Sequence, residues 1–183
     1  LPPEVQRRAV SAEGWFAKWP FTTSHNNKLV RVDEISVGDI VIKDEAVVFA
    51  DIPPFLGEDV VLIGKFLLDD YVTTLDYKHK QVLLRPAEGL REDIGYGVGL
   101  NFTLEDGEWK VCGLWSGSPA QQTGIALDDR ILAVDGAPVA ELSMSDVRRR
   151  LDDPEVQRME LKVTGESGER TLSLEKRELC VFP

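Results

Sequence analysis

The sequence predicts a mainly β protein with a few short helices, in two parts, and three observations carry that reading. Apolar residues alternate at period two from Lys28 to Ala50 and in several shorter stretches of the second half. Fifteen Gly and ten Pro cut the chain into short segments. Segments with helix-start signals are brief, following Pro2-Pro3, Ser118 and Ser143. At Arg85-Pro86-Ala87-Glu88-Gly89 all periodicity stops, so the chain divides into residues 1–88 and 91–183.

Taken in order, Pro2-Pro3 followed by Glu4 to Val10 reads as a helix, because Pro fits a first turn and Glu favours the positive end of the helix dipole. Val30 and Val32, Ile35 and Val37, a turn at Gly38-Asp39, then Ile40, Ile42, Val47 and Phe49 predict strands joined by a tight turn. A strand is expected at Val60 to Ile63 and a short segment at Phe66-Leu67-Leu68. A hairpin follows, Tyr71 to Tyr77 with Gln81 to Leu84. In the second half a glycine-rich entry, Gly95 to Gly99, leads into a strand reaching Leu104. Glu105-Asp106-Gly107 turns, and Trp109 to Trp115 returns. Ser118 as cap, Pro119 in the first turn and Gly124 as the stop define a short helix. Ile131 to Val134 is a strand ended by Asp135-Gly136. Ser143 and Asp146 cap a helix whose apolar face is Met144, Val147 and Leu151. Met159 to Val163 and Thr171 to Leu174 close the chain as a hairpin around Gly165 to Gly168.

Composition excludes several functions. The formal net charge of −11 argues against nucleic-acid binding. The longest apolar stretches, such as Asp59 to Leu68, stop well short of the ~20 residues that cross a bilayer. Two cysteines, Cys112 and Cys180, are too few for a disulfide framework or a four-cysteine zinc site, and predict buried small residues or one optional bridge. No metal and no cofactor is expected. His25 lies in a polar loop and His79 between two lysines, so neither forms a Ser-His-Asp or Cys-His arrangement recognisable from sequence. Gly95, Gly97 and Gly99 do not fit G-x-G-x-x-G and precede a strand, which disfavours nucleotide binding.

Four ordered pieces of the second half, GYGVGLNF at 95–102, GSPAQQTGI at 117–125, DDRILAVDG at 128–136 and SMSDVRRRL at 143–151, resemble the PDZ domains attached to bacterial proteases. One departure is Asp129-Arg130, where such domains usually have Gly-Asp. The resemblance implies a β-sandwich or barrel with two helices that binds peptide or protein C-termini. Amides of Val98, Gly99 and Leu100 would donate to the terminal carboxylate, aimed by Gly97 and Gly99. Leu100, Phe102, Val147 and Leu151 would wall a pocket, and the peptide would pair along Leu100 to Leu104, Asn101 included.

The stretch VLIGKFLLDDYVTTLDYKHKQVLL at 61–84, with ISVGDIVI at 35–42, is similar to the closing portion of a retropepsin-like aspartic protease domain, in which Leu62-Ile63-Gly64 would support the active-site floor. That family needs Asp-Thr-Gly or Asp-Ser-Gly, which occurs nowhere in these 183 residues. No catalytic residue is therefore assigned, the chain is predicted inactive alone, and the catalytic strand is expected upstream of Leu1. The resemblance implies a PDZ-bearing aspartic endopeptidase, with a homodimer of the intact protein and the cell envelope or periplasm as the compartment it would allow. A peptide-binding adaptor is the alternative, and the PDZ-bearing part of a serine protease ranks lowest. Trp15, Phe16, Trp19 and Phe21 are read as substrate contacts, a core cluster or a subunit contact. Arg148-Arg149-Arg150 reads as an exposed helix face able to attract acidic residues.

Overall fold

A computed structural model describes residues 3–16, 18–19, 22–57, 61–64, 68–88, 94–153 and 155–180. The mainly β expectation holds. Helix α1 (Pro3–Arg8) leads into β1 (Val10–Gly14), and two short strands, β2 (Lys18–Trp19) and β3 (Thr22–Thr23), pair with each other. The alternating stretch from Lys28 forms one long hairpin, β4 (Lys28–Val37) and β5 (Ile40–Phe49), which turns at Gly38-Asp39 with Val37 opposite Ile40.

The strand expected at Val60 to Ile63 does not form in its described part. Residues 61–63 are irregular and Val61 is 84% exposed. An apolar run becomes a strand only where a neighbour can pair with it and bury it, so apolar content alone misleads here. Phe66 and Leu67 lie outside the described residues. Next, β6 (Tyr71–Asp76) and β7 (Gln81–Pro86) make a separate two-stranded sheet, with the tip at residues 77–80. The boundary expected near residue 90 also falls outside the described residues.

The second half follows its local signals closely. It contains β8 (Tyr96–Gly97), β9 (Leu100–Glu105), β10 (Glu108–Trp115), α2 (Pro119–Gln122), β11 (Arg130–Val134) and β12 (Ala137–Pro138). Helix α3 (Met144–Asp152), the hairpin of β13 (Arg158–Gly165) and β14 (Gly168–Glu175), and the short β15 (Arg177–Glu178) complete it. Asp106 and Gly107 both have positive φ, at 53° and 80°, the two-residue turn whose twist matches that of paired strands. Ser118 caps α2 by accepting from the Gln121 N–H at 3.3 Å.

The main sheet runs β14-β13-β11-β10-β1-β4-β5, with β9 beside β10 and β12 beside β11, and among the described residues it does not close into a barrel. Its halves are joined through β1. Val10 and Ser11 pair with Leu29 and Lys28 of β4, while Ala12, Glu13 and Gly14 pair with Trp115, Leu114 and Gly113 of β10.

Two cores lie on this sheet. Phe102, Val111, Leu114, Val147, Leu161 and Leu174 belong to the larger one; Leu29, Ala46, Trp115 and Cys180 form the smaller, which residues of both halves build. Leu114 and Trp115 are adjacent, so strand alternation sends them to opposite faces, and β10 is consequently buried on both sides. The Phe16 ring stacks on Trp115 at 4.0 Å, which places that member of the aromatic cluster in a core. Arg31 is 7% exposed and holds Glu178 at 2.5 Å, tying β4 to β15. Asp129, the departure noted in the sequence, is 3% exposed and accepts from the Ala126 N–H at 3.1 Å and from Arg170 at 2.6 Å. Its carboxylate thus closes the turn from within. Both cysteines are free and buried.

Candidate functional site

The loop before β9 and helix α3 come together around one strand edge. Because Asp106-Gly107 is a two-residue turn, Glu105 and Glu108 form the hydrogen-bonded end pair of the hairpin, and backbone groups then alternate along β9. Glu105, Thr103 and Asn101 face β10; Leu100, Phe102 and Leu104 present their N–H and C=O groups to the other side. Among the described residues β9 pairs with β10 alone, so that outer edge is open. An open edge can accept another strand.

The glycine loop is fixed by its carbonyls. Val98 C=O accepts from Ala120 N–H at 3.0 Å, Gly99 C=O from Trp115 N–H at 2.9 Å, and Gly95 C=O from Leu179 N–H at 2.7 Å. Among the described residues the N–H groups of Val98 and Gly99 donate to no acceptor. Gly99 has φ +76°, and a Cβ placed on it would stand 2.2 Å from Ser118 Cβ. Glycine is required there twice over, by conformation and by the approach of the α2 cap. Gly97 has no positive φ and pairs with Arg177, so of the two glycines only Gly99 has the left-handed backbone that requires glycine.

Of the remaining expected pocket residues, Val98, Phe102 and Val147 are 3%, 1% and 3% exposed and form the core floor beneath the edge. Leu100 and Leu151 are partly buried at its margin, together with Met144. Asn101 anchors the strand: its Nδ2 donates to the Trp15 carbonyl at 3.0 Å, and its Oδ1 accepts from Arg148 at 3.3 Å.

Helix α3 is held at both ends. The Ser143 hydroxyl accepts from the Asp146 N–H at 3.1 Å, while Asp146 Oδ2 accepts from the Ser143 N–H at 3.3 Å. The Ser143 hydroxyl also donates to Asp146 Oδ2 at 2.5 Å, and this bond, with that from the Ser143 N–H and the nearby Arg149, holds the Asp146 carboxyl below the ordinary aspartate range. At the other end Lys176 Nζ donates to the carbonyls of Arg150 at 3.0 Å and Asp153 at 2.6 Å, a cation at the negative end of the helix. A separate cleft of about 540 Å³, lined by Val134, Asp135, Ala137, Leu142, Arg150 and Val156 among others, involves the face of α3 turned toward β11 and β12.

One groove residue was missed as such. Arg148 reaches from α3 onto β9, where Nη2 donates to the Phe102 carbonyl at 3.2 Å and the guanidinium lies 4.8 Å from the Phe102 ring centre. The signal was present in the sequence, since Arg148 stands four residues after Met144 and three before Leu151, on the apolar face. Elsewhere, His79 pairs with Asp76 at 2.7 Å and His25 contacts the Thr23 hydroxyl at 2.9 Å; neither pair includes a cysteine or another acid–base partner. Among the described residues no helix is long and apolar enough to cross a membrane, and no group of three His, Cys, Asp or Glu could hold a metal ion.

Residues 112–164 match the family model of the PDZ domain. A carboxyl-terminal-processing protease of Synechocystis sp. is 27% identical over 103 residues, covering 52% of this chain; the chain spans only 24% of that relative's length. The crystal structure of a PDZ domain protein from Parabacteroides distasonis aligns with 19% identity and a TM-score of 0.41, over 45% of this chain and 20% of that one. The Synechocystis relative is not an aspartic protease by name.

Proposed function

We propose that the second half binds the C-termini of peptides or proteins, and that the chain is the recognition part of a longer processing protease. The open outer edge of β9, entered through the unpaired amides of Val98 and Gly99 and flanked by α3, carries this reading. A peptide strand would take the edge carbonyl and amide of Phe102, its carboxylate would meet the loop amides, and its last side chain would rest between Leu100 and Leu151. The named relative supports a protease context over a free-standing adaptor.

The aspartic-protease assignment is not carried into the proposal. Leu62 and Ile63, the expected supports of an active-site floor, are 55% and 41% exposed, and the chain contains no Asp-Thr-Gly or Asp-Ser-Gly. Calorimetric titration with a free-carboxylate peptide ending in Leu and with its C-terminal amide tests the proposal. Binding of the acid with loss of at least about tenfold on amidation is expected, since a charge-assisted contact contributes roughly 1.5 kcal/mol or more. Equal affinity for acid and amide overturns it.

A further inference from the structure

Three consecutive arginines lie on α3, and their partners differ. Arg149 holds Asp146 at 2.7 Å and Arg150 holds Asp135, each a carboxylate. Arg148 has neutral acceptors alone among the described residues: the Asn101 side-chain oxygen and the Phe102 carbonyl. A guanidinium hydrogen-bonds a carboxylate more strongly than it does an amide oxygen, and does so in a two-pronged geometry. The acceptor it has taken is also the one an incoming strand needs, because the Phe102 C=O points to the open side of β9.

We infer that Arg148 latches the empty groove and selects peptides bearing an Asp or Glu side chain as the third residue from the C-terminus. This rests on the groove reading above. With the terminal carboxylate at the Val98–Gly99 loop and the peptide antiparallel to β9, the last residue lies beside Leu100 and the third from last beside Phe102. Side chains of residues opposed across a strand pair share one face. The third-from-last side chain therefore lies on the Phe102 face, the face that α3 covers and over which Arg148 extends. As the peptide N–H replaces Arg148 on the Phe102 carbonyl, the released guanidinium turns to the arriving carboxylate. An acidic peptide recovers the cost of opening the latch, whereas a neutral one does not.

The test uses the full chain and free-carboxylate dodecapeptides of alanine and serine ending in Leu, with Glu or Gln third from the end, together with their C-terminal amides. Affinities are read by fluorescence anisotropy for wild type, Arg148→Ala and Arg149→Ala. In wild type the Glu peptide is expected to bind at least about fivefold more tightly than the Gln peptide. Arg148→Ala should erase that preference and bind the Gln peptide more tightly than wild type does. Arg149→Ala should retain the preference. If wild type shows no preference, if Arg148→Ala keeps it, or if Arg149→Ala loses it equally, the latch is overturned while acid-over-amide discrimination still upholds the groove. Failure of that discrimination in wild type overturns both. Arg148 is exposed, and circular dichroism of the variants checks that folding is intact.

Discussion

Replacing Gly99 by alanine tests how the carboxylate loop is built. The backbone there has φ +76°, which costs an L-residue about 1–2 kcal/mol. The added methyl would stand 2.2 Å from Ser118 Cβ and 2.8 Å from its Oγ, an overlap that side-chain rotation cannot remove because Cβ itself is struck. Overpacking of this kind costs roughly 1–3 kcal/mol, so Gly99→Ala should lose about 2–5 kcal/mol in urea unfolding. Ser118→Gly clears the collision and by itself costs about 1 kcal/mol, a few tenths for the cap and the rest for the buried hydrogen bond from its hydroxyl to the Gly99 carbonyl at 3.3 Å. In that background Gly99→Ala should cost about 1–2 kcal/mol, the conformational part alone, leaving a coupling of about 1–3 kcal/mol between the two sites. The contact with Leu179 at 3.1 Å involves the end of a flexible side chain and yields cheaply. A cost below about 0.5 kcal/mol for Gly99→Ala, or an equal cost in both backgrounds, would refute the reasoning.

Three other predictions follow from the same structure. Asp129→Ala leaves Arg170 partly buried without its carboxylate and should cost about 3–5 kcal/mol in denaturant unfolding; a loss within about 0.5 kcal/mol would show the pair to be solvated. Deleting residues 3–16 strips β1 from both β10 and β4, so hydrogen exchange at the Leu114 amide, opposite Glu13, should accelerate by orders of magnitude in the shortened chain. Asp146 is held below the ordinary aspartate range, so its contribution to α3 is complete above that range and is lost as pH falls through the lowered value. An NMR titration should find its midpoint below that of an exposed aspartate, with α3 amide shifts moving together with it; Asp146→Asn should remove that pH dependence.

Where the sequence signals were local, they located elements to within a residue or two. The Asp106-Gly107 turn, the Ser118 cap and the Ser143–Asp146 box each involve neighbours a few positions apart, and each was legible before any coordinates. The order of glycine loop, strand and helix brought the candidate groove into view as well. What escaped depends on distant partners. Nothing about Val10 to Gly14 announces that Trp115 and Leu114 will pair with it, some hundred positions away. Val61 to Ile63 has strand composition, yet whether a strand forms there depends on a neighbour that local residues cannot specify. Charge alone groups Arg148 with its two neighbours, whereas helical phase sets it on the face of Met144 and Leu151. The side-chain contacts agree with that phase, placing Arg148 on β9 and its two neighbours on nearby acids.

Because successive residues of β10 serve separate interiors, the molecule has a party wall and not a gap where its N-terminal hairpin meets the second half. Strand β9 leans directly on that wall, and the far side of it is braced by Trp115 against Phe16 and Leu29. A peptide seated as proposed would thus be separated from the segment that precedes the second half by a single layer of backbone.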